Sequence, residues 1–374
     1  MGERVLVIGG TGPTGGPIVR GLLDRGHDVT ILHRGVHEDP AIEREVTHVH
    51  LDPYDPGALA TAFAGPPRYD VVLAMYGRLR AIADASAGKV GRFLSVGGVP
   101  AHRGWMNPFL ESPSGVPVPV SEDGPTVAEP AEDEKGYRIR RTEERVFVAH
   151  PGATHFRYPY VYGPKQLAPR EWCIVRRLLD GRESIVVPDD GLTLHHHGYT
   201  ENLAHAVLLA VDRPEQAAGR LYNVGDDEVL SLRQVIELIA AALGREVELV
   251  SMPWDLAVPA WPLLTQPSPA HRVLDLGRIK ADLGYRDAVP ARTAVGLTAL
   301  WLAEHRPEPG GTEEMVLTDP FDYDAEDRLL QAWRNARSQV DAALGAIQFV
   351  RQPGYGLAYS GPGGRARSKE TFEP

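Results

Sequence analysis

Three glycines near the amino terminus have the spacing of a phosphate-binding turn. Gly9, Gly12 and Gly15 follow the apolar run "RVLVI" and precede an amphipathic segment closed by Gly26. In such a turn the first glycine permits a tight bend, the second lets the backbone approach a pyrophosphate, and the third lets the next helix pack closely. The positive end of that helix then faces the phosphates. The segment therefore predicts a turn that binds a dinucleotide, with a purely structural glycine turn as the alternative.

The residues after the next two predicted strands indicate which dinucleotide binds. The second strand ends in "ILHRG", where proteins selective for NAD carry an acidic residue that accepts hydrogen bonds from the ribose 2′-hydroxyl. Arg34 instead offers a planar cation that suits a 2′-phosphate, which favours NADP(H) and leaves NAD(H) as the alternative. An arginine that only caps the strand in solvent is the competing interpretation. Asp52, after the third strand, either accepts a hydrogen bond from the adenine amino group or forms a turn before Pro53.

The elements that must position these residues follow an α/β pattern. Five apolar runs within the first hundred residues alternate with helix-like segments, which predicts a Rossmann-type, doubly wound parallel sheet. Residues 1–165 are predicted to form this dinucleotide-binding domain, with some later segments returning to it. A smaller C-terminal α/β substrate lobe is predicted over 166–306, and a C-terminal extension over 307–374. The segment 100–134, rich in Pro, Gly, Ser and acidic residues, is predicted to be a long functional or disordered loop.

Composition excludes several functional classes. Asp and Glu number 50 against 39 Lys and Arg, and the resulting net charge of −11 argues against broad binding to nucleic acids or anionic membranes. Cys173 is the single cysteine, so an internal disulfide is excluded and a reducing cytoplasm is expected. A strand pattern that starts at Arg4 leaves no room for a signal peptide, and no apolar run reaches the roughly 18 residues of a membrane span. We therefore expect a cytoplasmic metabolic protein.

The motifs and their order along the chain resemble those of the extended short-chain dehydrogenase/reductase family, whose members are often called NAD-dependent epimerase/dehydratases. The resemblance covers roughly residues 4–305, and it rests first on "GGTGPTG" and on Tyr137 with a basic residue four positions later. Four further segments are similar to family motifs: "FRYPYVYGP" at 156–164, "GYTENLAHAVLLA" at 198–210, "LYNVGDDEVLSLRQVIELIAAALG" at 221–244 and "LDLGRIKADLGY" at 274–285. Several independent motifs make the resemblance specific for the fold and much less specific for the reaction.

The resemblance implies a catalytic tyrosine. Family members use a Tyr as general acid or base, a Lys four residues later that lowers its pKa and holds the nicotinamide ribose, and a Ser that steadies the substrate oxygen. Tyr137 falls on the tyrosine and Arg141 on the lysine, one helical turn apart. Gly97 and Gly98 stand where the hydroxyl belongs, and Ser95 lies earlier in the strand, where alternation can direct it elsewhere. A surface tyrosine on a basic helix is the alternative interpretation of Tyr137.

Three residues are candidates to replace the missing hydroxyl, and the sequence does not choose between them: Tyr76, His102 and Trp105. By position only, the resemblance places Pro159 and Tyr160 against the nicotinamide. The expected contacts to the cofactor are Gly9, Thr11, Gly12, Pro13, Thr14, Gly15, Arg34, Asp52, Met75, Val96, Arg141, Pro159 and Tyr160.

The predicted lobe indicates what the substrate is not. Sugar-nucleotide members of the family keep an arginine at the place where this chain has "TLHHHGY". A neutral, aromatic pocket suits an uncharged organic carbonyl compound better than a nucleotide sugar. No metal is expected at His195, His196 and His197, because adjacent residues in a strand diverge and no Cys or acidic cluster accompanies them.

The leading hypothesis from the sequence is an NADP(H)-dependent oxidoreductase that acts on a carbonyl or alcohol of a small organic metabolite. One alternative is an epimerase or dehydratase that keeps its dinucleotide bound and uses it transiently. The other is a dinucleotide-binding scaffold that has lost catalysis. Gly98 and Arg141 favour this alternative, because they stand where family members have a hydroxyl and a lysine. The expected partner is a small-molecule substrate, with no nucleic acid or membrane, and the resemblance implies a homodimer.

Overall fold

The structure is a computed structural model, and it describes residues 2–35, 45–65, 68–75, 77–264, 268–345 and 347. The chain forms two compact units, Met1–Phe321 and Asp322–Pro374. Tyr76, one of the predicted catalytic candidates, lies outside the described residues. The domain boundaries expected at 165/166 and 306/307 stay predictions.

The described strands are β1 (Arg4–Ile8), β2 (Asp28–His33), β3 (Thr47–His50), β4 (Val71–Met75), β5 (Arg92–Gly98), β6 (Thr154–Tyr158), β7 (Tyr160–Tyr162), β8 (Ser184–Pro188), β9 (His197–Tyr199), β10 (Leu221–Asn223) and β11 (Glu248–Met252). The described helices are α1 (Gly15–Asp24), α2 (Pro56–Ala62), α3 (Leu79–Ser86), α4 (Glu134–Ala149), α5 (Glu171–Leu179), α6 (Thr200–Asp212), α7 (Pro214–Ala217), α8 (Leu232–Ala242), α9 (Gly277–Leu283), α10 (Ala291–Glu304), α11 (Thr312–Met315) and α12 (Tyr323–Leu344).

A seven-stranded parallel sheet forms the centre of the first unit. Its strand order is β10-β6-β5-β4-β1-β2-β3, and every neighbouring pair runs parallel. Helices α1 and α6 contribute to the apolar core on one face, and α2, α3 and α4 contribute to the core on the other. Both faces are covered, and the central strands β1 and β4 are almost entirely apolar and buried, as is typical of parallel strands covered on both faces. The predicted Rossmann-type, doubly wound α/β sheet is confirmed.

The glycine turn lies where the strand order reverses. Strand β1 pairs with β2 on one side and with β4 on the other, which makes its carboxyl end the switch point at which such sheets bind ligands. Gly9 directly follows β1 with a φ of +93°, a conformation that other residues rarely adopt. The turn leads into α1, so the helix amino terminus points back to this edge of the sheet.

The smaller lobe has a separate core. Two parallel two-stranded sheets, β11 with β8 and β7 with β9, accompany α5, α8 and α10, whose apolar residues form this core. Strand β10 lies beyond the lobe's first elements in the chain, yet it pairs with β6 and extends the main sheet. The chain therefore crosses between the lobe and the main sheet more than once, which leaves the lobe beside the carboxyl ends of the strands.

In the second unit, α12 is the only described helix. The carboxylate of Asp322 accepts a hydrogen bond from the backbone N–H of Ala325 and so caps its first turn. Across the described part of the chain, no helix combines the length and the hydropathy needed to cross a membrane.

The close packing of the glycine turn gives a first prediction. A Cβ at Gly15 would lie 2.5 Å from the Gly10 carbonyl carbon, whereas a Cβ at Gly12 would meet only Gly9 O, at an ordinary 3.5 Å. Gly15→Ala should therefore lower the free energy of unfolding by about 1–3 kcal/mol, because α1 must move off the turn. Gly12→Ala, the matched control, should change it by less than about 0.5 kcal/mol. Urea unfolding measures both, and equal stabilities would contradict the packing described.

Candidate functional site

A cavity of about 580 Å³ opens at the carboxyl ends of β4, β5 and β6. The segments that follow these strands line it, together with one face of α4. Tyr160, Arg170, His195 and Arg272 also line it. Its volume lies within the range of small-molecule sites, and its position beside the glycine turn is the one expected of a cofactor and substrate site.

One face of α4 lines the cavity, and it is not the face predicted from the sequence. The lining residues from this helix are Lys135, Arg138, Ile139 and Thr142. Tyr137 and Arg141 are not among them, because two residues along a helix correspond to positions about 160° apart around it. The guanidinium of Arg141 instead pairs with the exposed carboxylate of Glu144 at 2.7 Å. The structure therefore does not bring the predicted catalytic pair to the cavity.

Two contacts, one at the start of α4 and one in its third turn, fix the rotation of the helix about its axis. At its start, the carboxylate of Asp133 accepts a hydrogen bond from Gly136 N at 3.0 Å. The helix packs so closely there that a Cβ at Gly136 would lie 2.3 Å from Pro100 O. In its third turn, the buried carboxylate of Glu143 accepts two hydrogen bonds of 2.8 Å from the guanidinium of Arg157 on β6. The residues one turn apart that face the cavity are thus Lys135 and Ile139.

The Glu143–Arg157 pair is charged at neutral pH. Burial alone raises the pKa of the Glu143 carboxyl, but hydrogen bonds from Arg157 and His155 outweigh burial and hold its pKa at about 2. The pair therefore contributes as an ion pair with two parallel hydrogen bonds, the strong geometry for arginine and a carboxylate.

His155 on β6 fills the space beside the glycines that replace the family's serine. Its Nδ1 lies 2.7 Å from Ser95 Oγ, and its Nε2 lies 3.6 Å from Glu143 Oε1. A Cβ at Gly97 would lie only 2.5 Å from that Nε2. A side chain at 97 and the imidazole therefore exclude each other. Both Gly97 and His155 line the cavity, whereas Ser95 is fully buried within β5.

Sequence reasoning missed His155, although a signal was present. The parallel register pairs Ser95 with His155, so both side chains lie on the same face as Gly97. Knowing that β5 and β6 are neighbours would have been enough to place the imidazole over the glycine. The sequence predicted both strands but treated each of them alone.

The other candidates for the missing donor have different positions. His102 is buried outside the cavity, with its Nε2 3.2 Å from both Asn223 Oδ1 and Arg157 Nη1. Burial, followed by the charge of Arg157, lowers the pKa of His102 to about 4, so the imidazole is neutral and joins the loop after β5 to the sheet. Trp105 lines the cavity, and its carbonyl accepts a hydrogen bond from Arg272 Nε at 2.6 Å.

The predicted cofactor residues fall into two groups. Val96, Pro159 and Tyr160 line the cavity, as does Arg78 after β4. The turn residues Gly9, Thr11, Gly12, Pro13 and Thr14 lie between β1 and α1, and Gly15 is the first residue of α1. The Thr14 hydroxyl donates to the sulfur of Met75 at 3.7 Å and so joins the turn to the end of β4. Arg141 is separated from both groups by its place on the outer face of α4.

Arg34 and Asp52 lie near one aromatic ring at the end of β2 and β3. The Asp52 carboxylate accepts a hydrogen bond from Tyr54 N at 2.9 Å, which is the turn that the sequence allowed. The exposed guanidinium of Arg34 lies 5.7 Å from the centre of the Tyr54 ring, and that of Arg78 lies 4.9 Å from the same centre. Two cations thus gather beside the place where the sequence puts a 2′-phosphate.

The hydroxyl of Tyr160 is engaged in a structural role. It donates to Ala168 O at 2.7 Å and accepts from Arg170 N at 2.8 Å. Burial, and then the charge of Glu171, raises the pKa of Tyr160 well above its ordinary value. Tyr160 therefore forms an aromatic wall of the cavity and keeps its proton.

The cavity is cationic, which corrects the neutral pocket expected from the sequence. Among the described residues that line it, none is Asp or Glu, and the charged ones are Arg78, Lys135, Arg138, Arg170 and Arg272. Arg272 is 1% exposed, and the partners of its guanidinium are neutral: Trp105 O, Ser268 Oγ, Ala270 O and His195 Nε2. Burial lowers its pKa to about 10, so it stays charged at neutral pH. An unpaired buried cation is costly, and an anion bound in the cavity would offset that cost.

The three consecutive histidines have different surroundings. His195 and His196 line the cavity, whereas His197 in β9 lies with its ring 5.1 Å from the ring of Tyr160. Burial, together with the charge of Arg272, lowers the pKa of His195 to about 3. Burial also lowers the pKa of His196 to about 4. Both imidazoles are therefore neutral at neutral pH and act as hydrogen-bonding groups.

Comparison with known proteins supports the dinucleotide site. A family model described as NAD(P)H-binding matches residues 9–118, which span the glycine turn and β2 to β5. A 3-diazoavenalumate denitrifying reductase from a Streptomyces species is 28% identical over 64% of this chain and 82% of its own length. A 2-alkyl-3-oxoalkanoate reductase from Stenotrophomonas maltophilia is 27% identical over 64% of this chain and 76% of its own. Three further curated relatives are matched over only 42%, 40% and 41% of their length.

The fold also has relatives among solved structures. A UDP-glucose 4-epimerase from Thermotoga maritima, solved with UDP-glucose, superposes with a TM-score of 0.63 over 81% of this chain and 100% of that one. At 18% identity this likeness concerns the fold alone. The predicted NAD(P)-binding domain and the predicted family resemblance are confirmed by these matches together.

The buried pair on α4 gives the second prediction. Arg157→Met leaves the Glu143 carboxylate buried without its cation, which should lower the free energy of unfolding by about 3–5 kcal/mol. Arg141→Met removes an exposed pair of the same helix and should cost less than about 1 kcal/mol. Chemical unfolding of both variants at neutral pH measures the difference.

The same pair predicts a pH dependence. Because the pKa of Glu143 is held at about 2, below its ordinary value of 4.5, its stabilising contribution is fully present above pH 4.5. That contribution should be lost as the pH falls from about 4.5 toward 2. Arg157→Met should lose less stability than the parent chain over this window, and an equal loss would contradict the assignment.

Proposed function

We propose that the chain is a member of the extended short-chain dehydrogenase/reductase family and an NADP(H)-dependent oxidoreductase acting on the carbonyl or alcohol of a small organic acid. Its motifs, its NAD(P)H-binding domain and its reductase relatives support this proposal. The observation that carries this proposal is the cationic cavity beside the glycine turn, lined by Lys135 and His155 and by none of the acidic residues that the structure describes.

The residues at the turn fit the pyrophosphate of a dinucleotide. The first turn of α1 contains no acidic residue, and Thr14 at its start makes no side-chain capping hydrogen bond. The positive end of the helix therefore remains available to an anion. When bound, the nicotinamide exchanges a hydride at its C4 atom with the substrate. The protein's own task is to position the two molecules and to manage charge and a proton.

The choice of NADP(H) is supported by two arginines, one after β2 and one after β4. The guanidinium groups of Arg34 and Arg78 lie 5.7 and 4.9 Å from the centre of one ring, that of Tyr54. A 2′-phosphate carries two negative charges that guanidinium groups bind with parallel hydrogen bonds. NAD(H), which lacks this phosphate, would leave both cations without that partner.

His155 is proposed as the donor that replaces the missing serine hydroxyl. The Ser95 hydroxyl can donate a hydrogen bond to Nδ1 of the imidazole. Nδ1 is then the acceptor, so the ring N–H is at Nε2. The Glu143 carboxylate, 3.6 Å away, favours a protonated Nε2. Nε2 is buried without a hydrogen-bond partner among the described residues, so a carbonyl oxygen that reaches it from the cavity would accept its N–H. That hydrogen bond would stabilise the charge that develops on the oxygen.

Lys135 is proposed to share this role from α4. It belongs to the cavity face of the helix, and its ammonium group donates hydrogen bonds and a positive charge to a developing alkoxide. Tyr137 is not carried into the proposal, since its side chain is on the far side of the helix. Ile139 is the residue one turn after Lys135 on the cavity face, so this face has no second cation at that spacing.

The substrate is proposed to carry a negative charge. Arg170 and Arg272 contribute two cations to the lobe side of the cavity, and Arg170 Nε is buried without a hydrogen-bond partner among the described residues. A carboxylate bound there would satisfy both groups. The cavity of about 580 Å³ must also receive the nicotinamide end, which favours a small acid over a sugar nucleotide. This replaces the uncharged substrate expected from the sequence.

A second candidate is a dinucleotide-binding protein without turnover. It is favoured by one observation: the cavity face of α4 carries Lys135 and Ile139 one turn apart, and not the tyrosine and lysine that family members use. Binding of NADPH with no consumption over a panel of oxo acids would support it against the oxidoreductase.

The cofactor proposal predicts a selective loss in one variant. Arg34→Ala should weaken binding of NADPH by about 10–100-fold, because a charge-assisted contact to the 2′-phosphate is removed. NADH should bind the variant and the parent chain within about twofold, which makes it the matched control. Fluorescence titration of the reduced nicotinamide measures both. An equal weakening for NADH would mean that Arg34 does not contact the 2′-phosphate.

The catalytic proposal predicts which residues of one helix matter. Lys135→Met and His155→Phe should each lower kcat for NADPH-dependent reduction of an oxo acid by about 100-fold, the lower range for acid–base contributions. Tyr137→Phe, two residues from Lys135, should change kcat by less than about twofold because its ring is not in the cavity. A large loss in Tyr137→Phe with an unchanged Lys135→Met would reverse the assignment.

A further inference from the structure

Three imidazoles gather outside the cavity, at the edge of the main sheet. The register of β2 and β3 pairs His33 with His50 and Ile31 with His48, so all three histidines lie on one face of these strands. Each contributes one ring nitrogen, and these nitrogens lie within 4.8 Å of one another. His33 Nε2 is 2.8 Å from His48 Nδ1, and the rings of His33 and His50 are 4.9 Å apart.

This donor set matches the chemistry of a transition-metal ion. Imidazole nitrogen is a preferred ligand of Zn²⁺, Cu²⁺ and Ni²⁺. Three protein ligands with a fourth position left to water are the typical arrangement of an open zinc site, with zinc–nitrogen distances of about 2.0–2.1 Å. Nitrogens already within 4.8 Å of one another need only small side-chain rotations to reach those distances around one ion.

The three histidines differ in exposure: His33 is 7% exposed, His48 is half-buried and His50 is exposed. Gly35 lies beside the cluster, since a Cβ at that position would lie 3.0 Å from His50 Nδ1. Coordination has one local cost. Gly35 N donates to His33 Nδ1 at 3.2 Å, and binding through Nε2 would move the ring proton to Nδ1 and remove that hydrogen bond.

We propose that His33, His48 and His50 bind one divalent first-row transition-metal ion, with Zn²⁺ as the expected occupant. The bond from His33 Nε2 to the metal replaces its hydrogen bond to His48, and the ligands from two strands join β3 to its neighbour at the sheet edge. The site uses none of the residues proposed for the reaction, so either proposal can fail without the other.

The test uses the full-length chain without a histidine tag, stripped of metal with EDTA and then dialysed. Titration with Zn²⁺ against a chromophoric chelator should give one saturable site per chain, and Co²⁺ should give the visible absorption of a histidine-bound ion. His48→Ala and His50→Ala should each weaken Zn²⁺ binding by at least about tenfold, because each removes one of three ligands. His305→Ala removes an exposed imidazole elsewhere and should leave binding unchanged.

A stability readout keeps the test independent of any activity. Added Zn²⁺ should raise the unfolding midpoint of the parent chain and of His305→Ala, and it should leave that of His50→Ala unchanged. His50 is exposed, so its variant can be checked for folding by far-UV circular dichroism in the absence of metal. The proposal is overturned if the parent chain shows no saturable site, or if His48→Ala and His50→Ala bind Zn²⁺ as tightly as the parent.

Discussion

The buried ion pair between Glu143 and Arg157 decides which residues reach the cavity. Its two hydrogen bonds of 2.8 Å join α4 to β6, and the guanidinium also donates to Glu122 O at 3.1 Å. A buried pair of this kind gains little net stability, because desolvation of both ions offsets their attraction. What it determines is orientation. With the helix held in this rotation, Lys135 lies on the cavity side and Tyr137 does not.

The second constraint is one of volume across two adjacent strands. His155 lines the cavity only because Gly97 has no side chain, and Ser95 holds the ring from within the strand. The loss of a hydroxyl from the end of β5 and the presence of an imidazole on β6 are therefore a single structural change. A serine at 97 would collide with the ring, so restoring the family residue alone would not restore the family site.

The sequence predicted the features that depend on local pattern. The glycine turn, the parallel sheet and the NAD(P)-binding domain follow from residues close together in the chain, and all are confirmed. The rotation of α4 about its own axis could not be predicted in this way. Its rotation depends on a contact between residues 14 positions apart, on a helix and on a strand. Residue types alone favoured the pair formed by Tyr137 and the basic residue four positions later. That pair lies two positions along the helix from the residues that face the cavity. Burial of Arg272 among neutral partners was equally invisible, because no local pattern marks it.

Charge connects the cavity to the proposed reaction. The chain has a net charge of −11, yet five cations and no acidic group line the cavity among the residues described. Low-dielectric walls with one sign of charge concentrate counter-ions, so the cavity attracts anions against the overall charge of the protein. The dinucleotide phosphates would be neutralised at the glycine turn and near Arg34, and Arg272 lines the cavity itself. The charge of Arg272 is buried without a carboxylate partner among the described residues. In the proposed reaction a negatively charged substrate would compensate it, so the substrate class is linked to the same electrostatics that would stabilise an alkoxide at Lys135 and His155.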